Sequence, residues 1–200
     1  MTDIDGNKYK VVKIGDQYWM KENLKVTHYR NGDVIPNISD SLQWSKLTMG
    51  AYCNYNNDPN NVDTYGRLYN WYAVNDNRNI APEGWHVAND ADLHFLINSL
   101  GGRSIAGNKM KTQGTTTKGN GLWFGYNDYA TNESGFSALP GGGRGHHSGF
   151  ARLGKMGIFW SASEFERRFA SSYVTLSADS SLIRDRLEKN FGCSVRCVKD

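Results

Sequence analysis

Long apolar runs are missing from this sequence of 200 residues. A helix that crosses a membrane needs roughly 20 consecutive apolar residues, and no segment approaches that length, so we expect no transmembrane helix and no membrane insertion. The first residues, Met1-Thr2-Asp3-Ile4-Asp5-Gly6, contain neither a basic region nor an apolar region. We therefore expect no signal peptide in these residues.

Cysteine is scarce, at three residues, and the odd number leaves at least one thiol without a partner in the chain. Cys193 and Cys197 are four residues apart on one predicted strand, over residues 191–198. Their Cα atoms would then be about 13 Å apart, too far for a disulfide. Three scattered cysteines without paired histidines do not make a zinc site either. We expect Cys53, Cys193 and Cys197 to be buried free thiols.

A strong excess of one charge is also missing, because 23 basic and 20 acidic residues leave a net charge of +3. The charge is uneven: residues 141–200 contain ten Lys and Arg against six Asp and Glu, a net charge of +4. This bias suits an acidic partner but falls short of the basic footprint of a nucleic-acid-binding protein. We expect no nucleic-acid partner.

Aromatic residues and glycine are abundant, with six Trp, eleven Tyr, eight Phe and 22 Gly against only four Pro. This length and composition predict a single loop-rich domain over residues 1–200 whose core depends on ring packing. Few segments have helical periodicity, whereas many short segments alternate apolar and polar residues. The predicted fold class is α+β, with few short helices, small antiparallel sheets and long loops.

Local signals place several elements. Residues 8–14 and 18–20 form a predicted hairpin around the turn at Gly15-Asp16, and a short helix is predicted from a cap at Ser39 or Asp40. The clearest helix has Asn89 as its cap and ends at Gly101-Gly102. The remaining predicted elements are a helix over residues 105–112 and strands over residues 51–55, 134–140, 157–164 and 191–198.

Three predicted loops contain polar or glycine-rich sequence. Residues 113–133 form a long loop in which Trp123, Phe124, Tyr126 and Tyr129 are expected to be buried. Residues 141–147 are predicted to be a flexible turn, because they lack the Lys-Ser/Thr pair of a phosphate-binding P-loop. In residues 56–63, Asp58 and Asp63 could hold a structural calcium ion, although their spacing is not that of an EF-hand.

The sequence favours no catalytic constellation. Among the five histidines, His86 is expected to be a satisfied core residue and His94 to lie on a helix face, whereas a role for His146-His147 stays open. No serine lies in a nucleophile elbow, and no cysteine has an evident histidine partner. We therefore expect a protein that is not an enzyme and that needs no cofactor.

Ordered motifs along almost the whole chain resemble the Fibrobacter succinogenes major paralogous domain. The motifs are Gly6, Trp19-Met20-x-Glu22-Asn23-Leu24, Gly50-Ala51-Tyr52-Cys53, Tyr65-Gly66-x-Leu68-Tyr69-Asn70-Trp71-Tyr72-Ala73, Gly84-Trp85-His86-Val87, Asn132-Glu133-Ser134-Gly135-Phe136-x-Ala138-Leu139-Pro140-Gly141-Gly142, Phe159-Trp160-Ser161-x-Ser163-Glu164 and Ser194-Val195-Arg196-Cys197-Val198. The resemblance implies a C-type lectin-like fold, shared with the variable proteins of diversity-generating retroelements and with formylglycine-generating enzymes. Trp71, Trp85 and Trp160 of these motifs are expected to hold the frame.

The resemblance also implies a location. Family members are typically secreted or surface-attached bacterial proteins without an assigned enzymatic activity. The family usually has cysteine where this chain has Ala81, and an aromatic residue where it has Cys193. A disulfide from the first position to Cys197, which the resemblance would imply, cannot form. The loss of this disulfide is compatible with a phage structural protein that folds in a reducing cytoplasm. The other expectation is a bacterial surface protein.

The last part of the chain, residues 157–200, is expected to display a ligand-binding surface. In retroelement-diversified relatives the variable positions lie in this region, and their amino acids are reachable by substituting the adenines of an Asn codon. The corresponding residues are Phe165, Arg167, Arg168, Phe169, Ser171, Tyr173, Ser177, Asp179, Ile183, Asp185 and Leu187. We predict one exposed apolar patch of Phe165, Phe169, Ile183 and Leu187 with Arg167, Arg168 and Arg186 at its rim.

Two functions remain open at this point. The first is a receptor-binding or adhesion domain with a variable C-terminal surface, carried on a phage particle or a bacterial surface and directed at a cell-surface protein or glycan. The second is a glycan-binding module of fixed specificity that needs no calcium, because the calcium-dependent lectin motifs are absent. Its candidate ring faces are Trp123, Tyr126, Phe165, Phe169 and Tyr173. Homo-oligomeric assembly stays open in both.

Overall fold

The structure is a computed structural model that describes residues 1–145 and 149–200. The predicted loop residues His146 and His147 therefore lie outside the described residues. The strands are β1 (Val11–Ile14), β2 (Gln17–Met20), β3 (Tyr52–Cys53), β4 (Leu68–Tyr69), β5 (Trp85–Val87), β6 (Gly141–Gly145), β7 (Gly149–Leu153), β8 (Met156–Glu164), β9 (Phe169–Leu176), β10 (Leu182–Glu188) and β11 (Cys197–Lys199). The helices are α1 (Ser41–Ser45), α2 (Val62–Tyr65), α3 (Trp71–Val74), α4 (Asp90–Ser99) and α5 (Arg103–Met110), with 3-10 turns at Tyr55–Asn57 and Pro59–Asn61.

The predicted α+β class with few short helices is confirmed. The described residues form three sheets, with strand orders β1-β2-β11-β5, β10-β9-β8-β6-β7 and β3-β4. The strand pairs are antiparallel, as predicted, except that β6 pairs with β8 in parallel. The first sheet joins the N-terminal hairpin to β11, so both ends of the chain contribute to one sheet.

The local signals predicted the first hairpin and the main helix correctly. Strands β1 and β2 are joined at Gly15-Asp16, where Gly15 takes a φ of 58° that glycine adopts without steric cost. Helix α4 begins after Asn89, whose side chain accepts hydrogen bonds from the backbone N–H groups of Ala91 and Asp92 at 2.8 and 3.2 Å. Helix α1 is capped by Asp40, as predicted. Helix α5 begins and ends two residues earlier than expected.

Three predicted segments are wrong. Residues 134–140 form no strand and make only an isolated bridge, between Ala138 and Lys111. Residues 141–145, predicted to be a flexible turn, form the buried strand β6. A Cβ atom on Gly142 would lie 2.4 Å from the carbonyl oxygen of Ala151, so the glycines permit close strand packing. The predicted strand over residues 191–198 is reduced to β11, and Cys193 lies before it.

The core contains the three tryptophans expected to hold the frame. Trp71, Trp85 and Trp160 are buried in one apolar cluster. The Trp160 indole donates to the carbonyl of Tyr69 at 2.8 Å, and the Trp71 indole donates to the carbonyl of Ser161 at 3.0 Å. These bonds fix the aromatic segment before α3 against strand β8. No helix within the described residues is long and apolar enough to cross a membrane.

The prediction of three buried free thiols is confirmed. Burial raises the pKa of Cys53 to about 11 and raises the pKa values of Cys193 and Cys197 as well. Ala81 lies in the same apolar cluster as Cys197. Because Ala81 has no sulfur atom, Cys197 has no disulfide partner at this position.

Candidate functional site

The candidate site is built on the β9–β10 hairpin, with β10 at one edge of the five-stranded sheet. The register pairs Arg184 with Tyr173, Asp185 with Ser172 and Arg186 with Ser171. Side chains of directly paired residues share a sheet face, and successive residues alternate between faces. The hairpin therefore has two separate surfaces, and the eleven predicted residues are divided between them and the turn.

The first surface combines arginine side chains with phenylalanine rings, and we call it the arginine–phenylalanine surface. The guanidinium carbons of Arg184 and Arg186 both lie 5.4 Å from the ring centre of Phe165. Arg186 also lies 5.8 Å from the ring centre of Phe169, and Arg168 lies 5.9 Å from it. These distances permit cation–π attraction. The arrangement brings large aromatic rings and guanidinium groups together at the protein surface.

Much of this surface is accessible to a partner. Phe165 is 38% exposed, and the Arg168 and Arg186 side chains are 74% and 58% exposed. Arg168 also pairs with Glu188 at 2.9 Å, and Arg186 lies 3.5 Å from Glu166. Exposed ion pairs of this kind contribute little stability. A partner could therefore replace them at small cost.

Below the surface, Asp90 of helix α4 holds the hairpin. Its carboxylate accepts hydrogen bonds from Ser161, Ser171 and Arg184 at distances of 2.7, 3.1 and 2.6 Å. The hydrogen bond with Asp90 raises the pKa of Arg184 above its usual range. Sequence reasoning missed Arg184 and Asp90, because they are 94 residues apart and no local pattern connects them.

Two residues predicted to bind ligand, Ser171 and Tyr173, instead support the hairpin from below. Ser171 and Tyr173 are fully buried under α4, where Ser171 donates to Asp90 and the Tyr173 ring makes an edge contact with His94. Burial raises the pKa of Tyr173 to about 12. Neither side chain can contact a ligand at the surface, and both position the hairpin. Arg167 is exposed, as expected.

The second surface is an apolar groove on the opposite face of the hairpin. It has a volume of about 820 Å³. Its apolar lining includes Phe150, Leu153, Met156, Ile158, Val174 and Phe191. The predicted residues Asp185 and Leu187 also line it, and Ile183, 37% exposed, shares their face. The prediction of a single patch is therefore wrong, because Ile183 and Leu187 face away from Phe165 and Phe169.

The turn between β9 and β10 contains the last two predicted residues, Ser177 and Asp179. Lys111, which follows α5, donates to the carbonyl oxygens of Leu176, Ser177 and Asp179 at 2.9, 3.1 and 2.7 Å. Burial lowers the pKa of Lys111 to about 8. These three bonds fix the path of the turn, which lies beside the 113–133 loop.

That loop differs from the prediction. Trp123 is buried as expected, but Phe124 is 44% exposed, Tyr126 80% and Tyr129 84%. Ser177 and Asp179 line a depression of about 430 Å³ together with both tyrosines. The glycan candidates of the sequence are thus separated: Tyr126 lies here, whereas Phe165 and Phe169 lie on the arginine–phenylalanine surface and Trp123 and Tyr173 are buried.

The structure shows the surroundings of His86 and His94. His86, predicted to be a core residue, is partly exposed and contacts Asp200 at 2.7 Å and Asp92 at 3.0 Å. His94 is exposed on α4, as predicted.

The two possible calcium ligands, Asp58 and Asp63, have different surroundings in the structure. Asp58 caps a 3-10 turn by accepting a hydrogen bond from the backbone N–H of Asn60 at 2.9 Å. The Asp63 side chain is fully exposed and lies 3.9 Å from the Lys25 ammonium. Within residues 1–145 and 149–200, no cluster of three or more His, Cys, Asp or Glu could hold a metal ion.

A comparison with protein-family models identifies the family of this chain. The family model described as the Fibrobacter succinogenes major domain matches residues 12–199. The chain belongs to this family. Searches of curated proteins and of solved structures gave no match. The C-type lectin-like fold and the relationship to retroelement variable proteins, which the match does not test, stay predictions.

Two motif residues of this Fibrobacter succinogenes major domain, Arg196 and Asn23, are joined by a buried hydrogen bond. Arg196 is buried, and its guanidinium donates to Asn23 Oδ1 at 2.7 Å and to the carbonyls of Met20 and Phe136 at 2.8 and 2.7 Å. It also donates to the Ser137 carbonyl at 3.1 Å. Arg196 therefore connects strand β2, the segment before β6 and the C-terminal segment.

Proposed function

We propose that this domain is a non-enzymatic receptor-binding or adhesion domain that binds a protein on a cell surface. The observation that carries the proposal is the arginine–phenylalanine surface, where Arg184 and Arg186 lie over the exposed ring of Phe165. Arginine and aromatic side chains dominate binding energy at protein interfaces. Phenylalanine exposed among charges has no evident folding role, so binding accounts for it best.

The charge of this region supports an acidic partner. Residues 141–200 have a net charge of +4, and the exposed guanidinium groups of Arg168 and Arg186 offer planar donors to carboxylates. An acidic protein surface would replace the existing contacts with Glu188 and Glu166. Such charge complementarity speeds association and selects among partners.

A binding role rather than catalysis agrees with the described ionisable groups. Both nitrogen atoms of the His86 imidazole contact carboxylates, at 2.7 and 3.0 Å. Burial raises the pKa values of Cys193 and Cys197, which disfavours the thiolate form that a nucleophile needs. We place the protein outside the cell, on a bacterial surface or a phage particle, where a receptor is accessible.

The proposal is tested by binding of the labelled domain to a panel of bacterial strains, measured by flow cytometry. We expect binding that is lost when the cells are treated with protease. The double variant Phe165→Ala, Arg186→Ala should reduce binding at least about tenfold, since each interface hot spot contributes about 2 kcal/mol or more. Its melting temperature should be unchanged, because both side chains are exposed.

A matched control removes one exposed apolar group and one exposed cation outside the hairpin. Val34 is 66% exposed and Lys10 is also exposed. The Val34→Ala, Lys10→Ala variant should bind like the wild type. Equal binding by the wild type and the Phe165, Arg186 variant would rule out the arginine–phenylalanine surface.

The proposal also includes diversification of the exposed hairpin residues by a retroelement. It predicts a near-copy of the codons for residues 157–200 close to the gene, beside a reverse transcriptase. The copy should have adenines at codons of exposed hairpin residues such as Phe165, Arg168 and Asp185, and it should match the gene at the buried Ser171 and Tyr173. DNA sequencing of the flanking region checks this, and absence of such a copy would indicate a fixed binding surface.

A further inference from the structure

The depression beside the β9–β10 turn has features that the arginine–phenylalanine surface does not explain. It is about 430 Å³ in volume. Its lining includes Asn108, Tyr126, Asn127, Tyr129, Ser177 and Asp179. Small-molecule sites typically have volumes of about 300–1,000 Å³, so a single sugar ring or a disaccharide fits here.

The two tyrosines stand out because they are almost fully exposed. Tyr126 is 80% and Tyr129 84% exposed, and neither hydroxyl has a hydrogen-bond partner among the described residues. A tyrosine in the core contributes apolar burial to folding, but these two contribute almost none. Aromatic rings of this kind offer flat apolar faces with a polar end. Such faces suit the C–H face of a pyranose ring.

Polar groups around the rings are free to contact a ligand. Among the described residues, the side-chain amide of Asn108 and the hydroxyl of Ser177 have no hydrogen-bond partner. Asn127 is 4% exposed and donates to the carbonyls of Thr112 and Gly114 at 2.9 and 3.0 Å. Its Oδ1 atom is buried without a partner in the described part of the chain. An unpaired buried acceptor is costly, and this side chain belongs to the lining of the depression.

The charges favour a neutral ligand. Hydrogen bonds from the backbone N–H and the hydroxyl of Ser181 lower the pKa of Asp179, which is therefore ionised at neutral pH. The nearby Lys111 ammonium is already surrounded by the three carbonyl oxygens of the turn. An anionic sugar would meet the Asp179 carboxylate without a free cation from Lys111 to balance it.

We propose that this depression binds a neutral pyranose of a glycan without calcium. Tyr126 and Tyr129 provide the stacking faces, and Asn108, Ser177 and Asp179 provide hydrogen bonds to the sugar hydroxyls. The site is separate from the arginine–phenylalanine surface and does not depend on it. A domain with both surfaces could bind a glycoprotein through its protein and its glycan.

Ligand-observed NMR with saturation transfer tests the site. The probes are the methyl glycosides of glucose, mannose and galactose, and N-acetylglucosamine, each at millimolar concentration in EDTA. We expect saturation transfer to at least one probe. The variants Tyr126→Ala and Tyr129→Ala should each weaken its binding about tenfold, whereas Tyr126→Phe, which retains the ring, should bind almost as well as the wild type.

Tyr18 on β2 is the matched control, since it is a 43% exposed tyrosine on the other large sheet. Tyr18→Ala should leave probe binding unchanged. Because Tyr126 and Tyr129 are so exposed, their variants should melt at the wild-type temperature. The proposal is overturned if the wild type binds none of the four sugars, if both alanine variants bind as the wild type does, or if binding requires calcium.

The sugar-binding site and the protein-binding surface can be confirmed or rejected independently of each other. The Phe165→Ala, Arg186→Ala variant should bind the sugar probe normally. If sugar binding is absent while that variant still loses binding to cells, only the glycan site is wrong. If sugar binding is present while the hairpin variant binds cells normally, only the protein-binding surface is wrong.

Discussion

Arg196 joins distant parts of the chain through the hydrogen bonds of its guanidinium. It is buried, and none of its hydrogen-bond partners among the described residues is a carboxylate. Its guanidinium lies 4.4 Å from the ring centre of Phe136. Burial lowers the pKa of Arg196 below its usual range. A buried cation is tolerated only when its donors are satisfied, and here four protein oxygens satisfy them. The planar fork of arginine is what reaches all four.

Arg196→Lys should therefore destabilise the domain although it retains the charge. A single ammonium cannot reach four oxygens in the same plane, and each unsatisfied buried group costs about 1–3 kcal/mol. We expect the free energy of unfolding to fall by about 3 kcal/mol or more, measured by urea denaturation. Arg168→Lys is the control and should change it by less than about 0.5 kcal/mol, because Arg168 is largely exposed. Equal stability of both variants would contradict the assigned role.

At the scale of elements, helix α5 determines where the β9–β10 turn lies. A Cβ atom on Gly107 would be 2.3 Å from the carbonyl oxygen of Ser181. The backbone N–H of Asn108 donates to the carbonyl of Ser180 at 3.1 Å. Close packing of the helix against the turn therefore requires glycine at this position, although glycine is a poor helix former.

Gly107→Ala should lower stability by about 1–3 kcal/mol, the usual cost of overpacking. Helix propensity alone predicts the opposite sign, a gain of about 1 kcal/mol. Ser104→Ala on the exposed face of the same helix is the control and should not destabilise the domain. Thermal denaturation of both variants distinguishes packing from propensity. Because Asn108 lines the tyrosine depression, Gly107→Ala should also weaken sugar binding.

At the scale of the whole molecule, His86 connects α4 to the C-terminal segment through Asp92 and Asp200. Burial lowers the pKa of His86, but the hydrogen bonds with Asp200 and Asp92 outweigh it, and the net effect raises this pKa. A raised pKa in the folded state means that the folded protein holds the proton more tightly than the unfolded chain. The contacts of His86 with Asp92 and Asp200 therefore stabilise the domain most when His86 is protonated.

This stabilisation should be fully present below about pH 6.5, the usual pKa of unfolded histidine, and lost as the pH rises through the raised value. In His86→Gln, the unfolding free energy should change less over this pH range than it does in the wild type. Since His86 is partly exposed, the difference should be below about 1 kcal/mol. Urea denaturation at several pH values measures it. His94→Gln is the control, and a pH dependence lost equally in both variants would contradict this role of His86.

Local chemistry made part of the fold predictable. The Gly15 turn, the Asp40 and Asn89 caps and the burial of Trp71, Trp85 and Trp160 follow from residues that are adjacent in sequence or from strong apolar character. The glycine strand β6 was missed, because glycine normally indicates a turn and only contact with β7 and β8 stabilises it as a strand. Tyr126 and Tyr129 were expected in the core, but no element in the described part of the chain covers them.

The sequence alone determined the class of the fold, the family motifs, the free thiols and the C-terminal region that displays the candidate surfaces. Only the tertiary structure decided which of the eleven predicted residues are accessible. The β9–β10 register puts Ile183 and Leu187 on the opposite face from Phe165 and Phe169, and α4 covers Ser171 and Tyr173. The physical reason is that strand pairing fixes the face of every side chain, and pairing depends on partners distant in sequence.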